Sequence, residues 1–178
     1  VGELRKIAHV KPICAATYTN DIKLDSIIQE LENFLGPIED RTESFDFTFT
    51  QYYLDEMGPD LKKMFMSFQK LMLPDQLPEL KLDTNQMESK WTVDGKRTIN
   101  LDPGYLTTSK LVLASTKNFA HRIYLSDGIY GDLQMQYRHN RFHVQAWTYP
   151  DYQTSLAMDF FHKVRQKFAK QVKEFEIR

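Results

Sequence analysis

Hydrophobic residues along this chain follow two spacings, and the switches between them mark the expected elements. Ile13-Cys14-Ala15-Ala16 with Tyr18 is apolar on both sides, the pattern of a strand buried on both faces. Ile22, Leu24, Ile27, Ile28, Leu31, Phe34 and Leu35 recur at helical spacing, with Asn20 or Asp21 as cap and Gly36-Pro37 as stop. From Glu43 to Thr50 the period drops to two. Phe45, Phe47 and Phe49 fall on one side and Asp46, Thr48 and Thr50 on the other, which predicts a half-buried strand. Tyr52-Tyr53 and Glu56-Met57-Gly58 read as a connection. Pro59 in a first turn, then Leu61, Met64, Phe65, Phe68, Leu71 and Met72, predict a second helix. Leu77, Leu80, Thr84, Met87 and Trp91, with Pro78 in the first turn, predict a third.

The second half begins with a turn at Asp94-Gly95 and a short strand from Thr98 to Leu101. Asp102-Pro103-Gly104-Tyr105 has the residues of a tight turn. Thr107, Thr108 or Ser109 is placed to cap a short helix through Leu111, Val112 and Leu113, an apolar run that also suits a strand. A β-meander follows: His121 to Leu125, a turn at Ser126-Asp127-Gly128, the alternating run Ile129 to Tyr137, a turn at His139-Asn140, and Phe142 to Trp147. Pro150 ends the sheet. A long helix from about Thr154 to Phe175 has an inner stripe of Ala157, Phe160, Phe161, Val164, Phe168 and Val172. Lys167, Lys170 and Lys173 suit the negative end of its dipole. The expected fold is α+β: a single domain over residues 1–178, with a mixed, mostly antiparallel sheet, a C-terminal β-meander and helices packed on one side.

Composition fits this picture. Of 178 residues, 42% are hydrophobic and 26% charged, the balance of a globular chain rather than a disordered one. No apolar run approaches the roughly 20 residues needed to cross a bilayer, and Val1 to Lys11 lacks a signal-peptide core. The lone Cys14 has no partner for a disulfide, which points to a reducing cytoplasm, and its apolar neighbours mark a buried, inert thiol. Charge is uneven along the chain. Residues 1–95 carry 10 Lys/Arg and 17 Asp/Glu, net −7, and residues 96–178 carry 13 and 7, net +6. Such a field draws an anionic ligand to the C-terminal half, unless the two halves neutralise each other across the fold.

Recognisable reaction motifs are missing. There is no P-loop, no Gly-x-Gly-x-x-Gly and no nucleophile elbow. His139 and His143 are four apart, but the first lies in a turn and the second in a strand, so they make no zinc-binding helix face. No metal site is expected, and the sequence leaves the cofactor open.

Two weaker constellations remain. Thr107-Thr108-Ser109-Lys110 would place hydroxyls and an ammonium at a helix N-terminus, where free N–H groups suit phosphate or carboxylate; Lys117, His121 and Arg122 lie nearby in sequence. The plainer alternative is a helix cap with solvated lysines. On the meander, Ile123, Leu133, Met135, Phe142, Val144 and Ala146 are assigned to the core face. The opposite face then carries Arg122, Tyr124, Tyr130, Gln134, Gln136, His143, Gln145 and Trp147, aromatics interleaved with amides, as in surfaces that stack bases. A solvated sheet face shows the same alternation. Asp151 is placed to cap the last helix or to act as acid or base beside Tyr149 and His121.

Several of these stretches together resemble domain-of-unknown-function family 4416, a bacterial family. They are Phe45-Asp46-Phe47-Thr48 with Tyr52-Tyr53 and Glu56-Met57-Gly58, Asn100 to Leu106, Ser109 to Ala114, His121 to Leu125, Gly128-Ile129-Tyr130, and Trp147 to Tyr152. Members are sometimes labelled GTP-binding, a label that no P-loop here supports. Where relatives tend to carry Lys-Gly in the last hairpin turn, this chain has His139-Asn140. The resemblance supplies no catalytic residues; it adds weight to the segments around Asp102, Lys110, His121 and Asp151.

The leading expectation is a protein that binds a phosphate-bearing ligand, a nucleotide or RNA. Lys110, Lys117 and Arg122 would meet phosphate, Tyr105, Tyr124 and Trp147 would stack, and Thr108 and Tyr149 would line the site. The rival expectation is a hydrolase or transferase of phosphorylated substrates, with His121 and Asp151 as acid and base and Asp102 orienting. A third is a protein-interaction module using the polar sheet face.

Overall fold

The computed structural model describes residues 2, 3 and 6–176, with side chains described as far as Lys173; Val1, Leu4 and Arg5 of the N-terminal stretch lie outside the described residues. In chain order the elements are β1 (Lys11–Thr19), α1 (Leu24–Leu35), β2 (Ile38–Arg41), β3 (Phe45–Asp46), the single turn α2 (Leu54–Met57) and β4 (Leu61–Phe68). Then come α3 (Leu77–Lys90), β5 (Thr92–Val93), β6 (Lys96–Arg97), β7 (Ile99–Leu106), β8 (Lys110–Ser115), β9 (Arg122–Ser126), β10 (Ile129–Arg138), β11 (Arg141–Val144) and α4 (Ser155–Glu176). Among the described residues nine strands form one sheet, in the order β11-β10-β8-β7-β1-β4-β2, with β3 against β4 and β9 against β10. The described pairs of that sheet are antiparallel, and the protein is α+β.

β1 is central, with β4 on one side and β7 on the other. Its apolar run has no polar face, so both faces need cover. Cys14, Ala16 and Tyr18 join the core under α1 and α3, while Ile13 and Ala15 join the core under α4. The helices therefore pack on both faces of the sheet, not on one. Each core is built by side chains that alternate along the same strands.

Three segments depart from the sequence expectation. Leu61–Phe68 is a strand, not a helix, paired with β1 from Thr19↔Leu61 to Ile13↔Ser67. Met64, Met66 and Phe68 enter one core and Phe65 the other, so nearly every position is buried and a helical spacing arises by coincidence. Asp102-Pro103-Gly104-Tyr105 is not a turn but the middle of β7, in register with Ala15, Cys14, Ile13 and Pro12. Leu111 to Leu113 is strand β8, and Thr107 Oγ1 accepts the Ser109 and Lys110 amides inside the β7–β8 turn instead of capping a helix.

Smaller differences have local causes. The cap of α1 is Lys23 without a side-chain hydrogen bond, because Asn20 donates instead to Asp60 O at 3.1 Å. The phenylalanine strand stops after Asp46, where Phe47 turns into a small cluster with Met57, Leu61 and Tyr53. In β10 the register on β8 slips between Leu133 and Met135, a bulge at Gln134. Leu133 packs on the α1/α3 core and Met135 on the α4 core, so the face assigned to one side is divided. Gln134, assigned to the polar face, is fully buried, while Ile123, assigned to the core, is 74% exposed on β9. The expected turns at Asp94-Gly95, Asp127-Gly128 and His139-Asn140 are all present, each with two residues at positive φ.

Candidate functional site

β7 and β8 pair at only three rungs, Gly104↔Leu113, Tyr105↔Val112 and Leu106↔Leu111. Before Gly104, β7 stays on β1; after Leu113, β8 stays on β10. The strands part, and the gap opens one wall of a cavity of about 520 Å³. Helix α3 replaces the missing ladder with side chains. Glu88 Oε1 accepts the Leu101 amide at 2.7 Å, and Lys81 Nζ donates to Leu101 O at 2.8 Å. Pro103, two residues on along the same edge, has no N–H to leave unpaired, which is why an internal strand tolerates it here.

Charged groups on both sides of the gap are held in networks. Arg97 donates to Glu56 at 2.5 and 2.8 Å, to Glu88 Oε2 at 2.6 Å and to Asn100 Oδ1 at 3.3 Å. Hydrogen bonds from Arg97 hold the Glu56 carboxyl below its ordinary range. Burial pushes Glu88 up, against the opposing pull of Lys81, the Leu101 amide and Arg97. Opposite, Arg122 donates to Asp132 at 2.7 Å, to Ser115 Oγ at 2.6 Å, to Lys117 O at 3.1 Å and to the Tyr149 hydroxyl at 2.9 Å. Its guanidinium lies 4.7 Å from the Phe119 ring centre. Burial, with the negative charge of Asp102 behind it, pushes the Tyr149 phenol up to about 12.

The floor is an ammonium between two carboxylates. Lys63 Nζ is 2.8 Å from Asp151 and 3.9 Å from Asp102, inside a box of rings from Phe47, Tyr152 and Phe65 at 4.8, 5.3 and 5.8 Å. The Lys63 and Asp151 side chains are almost fully buried; Asp102 keeps 22% of its side-chain surface. Burial raises the phenols of Tyr53 and Tyr152, and Asp102 raises them further. At the mouth stand Phe49, Tyr52 and Phe119, all exposed, with Lys117 Nζ 2.6 Å from the Tyr52 hydroxyl.

Of the residues singled out in the sequence, Asp102, Lys117, Arg122, Tyr149 and Asp151 line this cavity. His121 does not. It stacks on Trp147 at 4.7 Å and on Phe119 at 6.0 Å, with Nε2 3.8 Å from Asp132. Trp147 lies outside as well, its indole donating to Leu133 O at 2.8 Å. Tyr105 packs on the α1/α3 core, and Tyr124 lies exposed on Tyr130 at the β9 edge. Thr108 and Lys110 are exposed at the far end of the β7–β8 hairpin, without the helix N-terminus that drew attention to them. The sequence pattern assigns no site role to Lys63, Lys81, Glu88, Arg97 and Asn100. The signal available for Lys63 is the charged pair Lys62-Lys63 between Leu61 and the largely apolar run Met64 to Phe68.

Among the described residues no group of three His, Cys, Asp or Glu side chains is arranged to hold a metal ion. None of the described helices is long and apolar enough to cross a membrane. The family described as Domain of unknown function (DUF4416) matches residues 8–168. No curated protein and no solved structure matches the chain.

Proposed function

We propose that this chain, which belongs to the DUF4416 family, binds a small phosphate-bearing ligand with a flat ring, a nucleotide by chemical class, in the cavity between β7 and β8. The carrying observation is the meeting of exposed rings and a cation at the mouth, Phe49, Tyr52 and Phe119 with Lys117, above a polar interior. The volume lies in the range of small-molecule sites. Rings of this kind stack a base, and Lys117 at the mouth, with no carboxylate among its ion pairs to the described residues, is the cation placed to meet phosphate. Lys63, Lys81, Arg97 and Arg122 are matched by Asp151, Asp102, Glu88, Glu56 and Asp132. The Tyr149 hydroxyl accepts from Arg122, so its own proton is available to a ligand oxygen.

A cavity of this size favours a single nucleotide over an RNA strand, which needs an extended platform. The reading places the protein in the cytoplasm, where a buried lone thiol such as Cys14 needs no partner. Calorimetric titration with 5′-mononucleotides, short RNAs and inorganic phosphate at low and high salt tests it. Mononucleotide binding that weakens with salt and in Tyr52→Ala and Lys117→Ala supports the reading, and no mononucleotide binding at low salt overturns it.

The floor favours one second reading, a hydrolase or transferase acting on the bound phosphorylated compound. Asp102 is the carboxylate open to the cavity and is the base in this version, while Asp151 holds Lys63 in place. His121, outside the cavity, has no part in it. Phosphate release from nucleotides, abolished in Asp102→Asn with binding retained, is the result that would favour it.

A further inference from the structure

The buried charges of the cavity are largely committed to one another: both Glu88 oxygens accept hydrogen bonds, and Arg97, Lys81 and Arg122 all donate to protein acceptors. Asn100 differs. It is 7% exposed and lines the cavity, and its Nδ2 has no hydrogen-bond partner among the described residues. The orientation of the amide is set by chemistry, because Arg97 can only donate; the oxygen must face Arg97 and the NH2 must face away. A buried donor left open in this way calls for a partner. Asp102, two residues on and therefore on the same face of β7, is paired with one cation, Lys63 at 3.9 Å, and its charge is felt by the phenols of Tyr53, Tyr149 and Tyr152. One donor and one acceptor thus lie two residues apart on one strand face, both lining the cavity.

We infer that Asn100 and Asp102 are the specificity-determining pair of this site and select a ring that carries a carbonyl beside a ring N–H, a lactam edge. The inference rests on the nucleotide reading and narrows it. The Asn100 amide donates to the ring carbonyl and the Asp102 carboxylate accepts the ring N–H. Uracil, hypoxanthine and guanine present that edge. Adenine has no carbonyl, and the ring nitrogen beside the cytosine carbonyl carries no proton. A site whose buried polar groups need partners rejects ligands that cannot supply them.

The test is calorimetric titration of uridine, inosine, guanosine, adenosine and cytidine 5′-monophosphates into the wild type, Asn100→Leu and Asp102→Ala. The first three are expected to bind about tenfold or more tightly than the last two, and each substitution is expected to remove that preference. The wild-type comparison needs no variant, so a poorly folding substitution leaves the test intact. Equal affinity across the five, or a preference that survives both substitutions, overturns the inference and leaves the nucleotide reading standing. Failure of all five to bind overturns both.

Discussion

Glu88 does the work of a neighbouring strand for Leu101, accepting its amide at 2.7 Å at the point where β8 has left β7. The same carboxylate is bound by Arg97 at 2.6 Å through its other oxygen. Glu88→Leu is therefore expected to cost about 3 kcal/mol, since it strands a buried N–H and removes one partner of a part-buried arginine. Glu88→Gln keeps an acceptor and should cost less. Urea unfolding of the pair gives the order.

Arg122 braces three segments at once: β10 through Asp132, the end of β8 and the loop after it through Ser115 and Lys117, and the segment before α4 through Tyr149. Asp132 is fully buried. Arg122→Met leaves that carboxylate without its closest cation, and a loss of about 3–5 kcal/mol is expected by chemical denaturation. Arg122→Lys keeps the charge but not the planar fork. It should lose less stability while weakening nucleotide binding, because Tyr149 and Ser115 are released.

Gly104 sits on the last rung that β7 and β8 share, and its extended backbone is not what demands glycine. A Cβ there would stand 2.4 Å from the Val112 carbonyl oxygen and 2.7 Å from Leu113 Cδ2. Gly104→Ala must push the two strands apart. A loss of about 2–3 kcal/mol or more in thermal or urea unfolding is expected.

Asp40 on β2 carries the clearest acid sensitivity. Burial alone would raise its carboxyl, but hydrogen bonds from Lys163 and Lys167 of α4, both at 2.5 Å, outweigh it and hold the group below the ordinary 3.8. A depressed folded value means that this stabilisation is complete above the unfolded value and is lost as pH falls through the folded one. The stability difference between wild type and Asp40→Asn should be constant near neutrality and shrink as pH falls past the ordinary 3.8 toward the lower folded value. Both lysines are substantially exposed, so the difference is about 1 kcal/mol or less.

What could be read from the sequence was what short-range pattern decides. The stripes of α1, α3 and α4 and the paired positive-φ turns of the hairpins were legible, because each depends on residues within a few positions of one another. β4 was not, since burial on both faces erases the period that separates strand from helix. β7 was not, because pairing with β1 overrode the turn chemistry of Asp102-Pro103-Gly104. The cavity needs β7 and β8 to separate and α3 to fill in, and no local pattern encodes that. Of its lining, the sequence marks only residues conspicuous for their own chemistry, Asp102, Lys117, Arg122, Tyr149 and Asp151.

The bulge at Gln134 gives β10 one residue more than its ladder on β8 uses. On its two sides the same strand serves opposite cores, Leu133 one and Met135 the other. The ladder on β8 passes over Gln134, pairing Leu133 with Val112 and Met135 with Leu111, so the alternation of faces runs on as if that residue were absent. Its use lies elsewhere: its carbonyl accepts the Thr148 hydroxyl and its side-chain oxygen accepts the Tyr149 amide. A chain one residue shorter there would keep every later side chain on its own core and instead unfasten the segment that leads into α4.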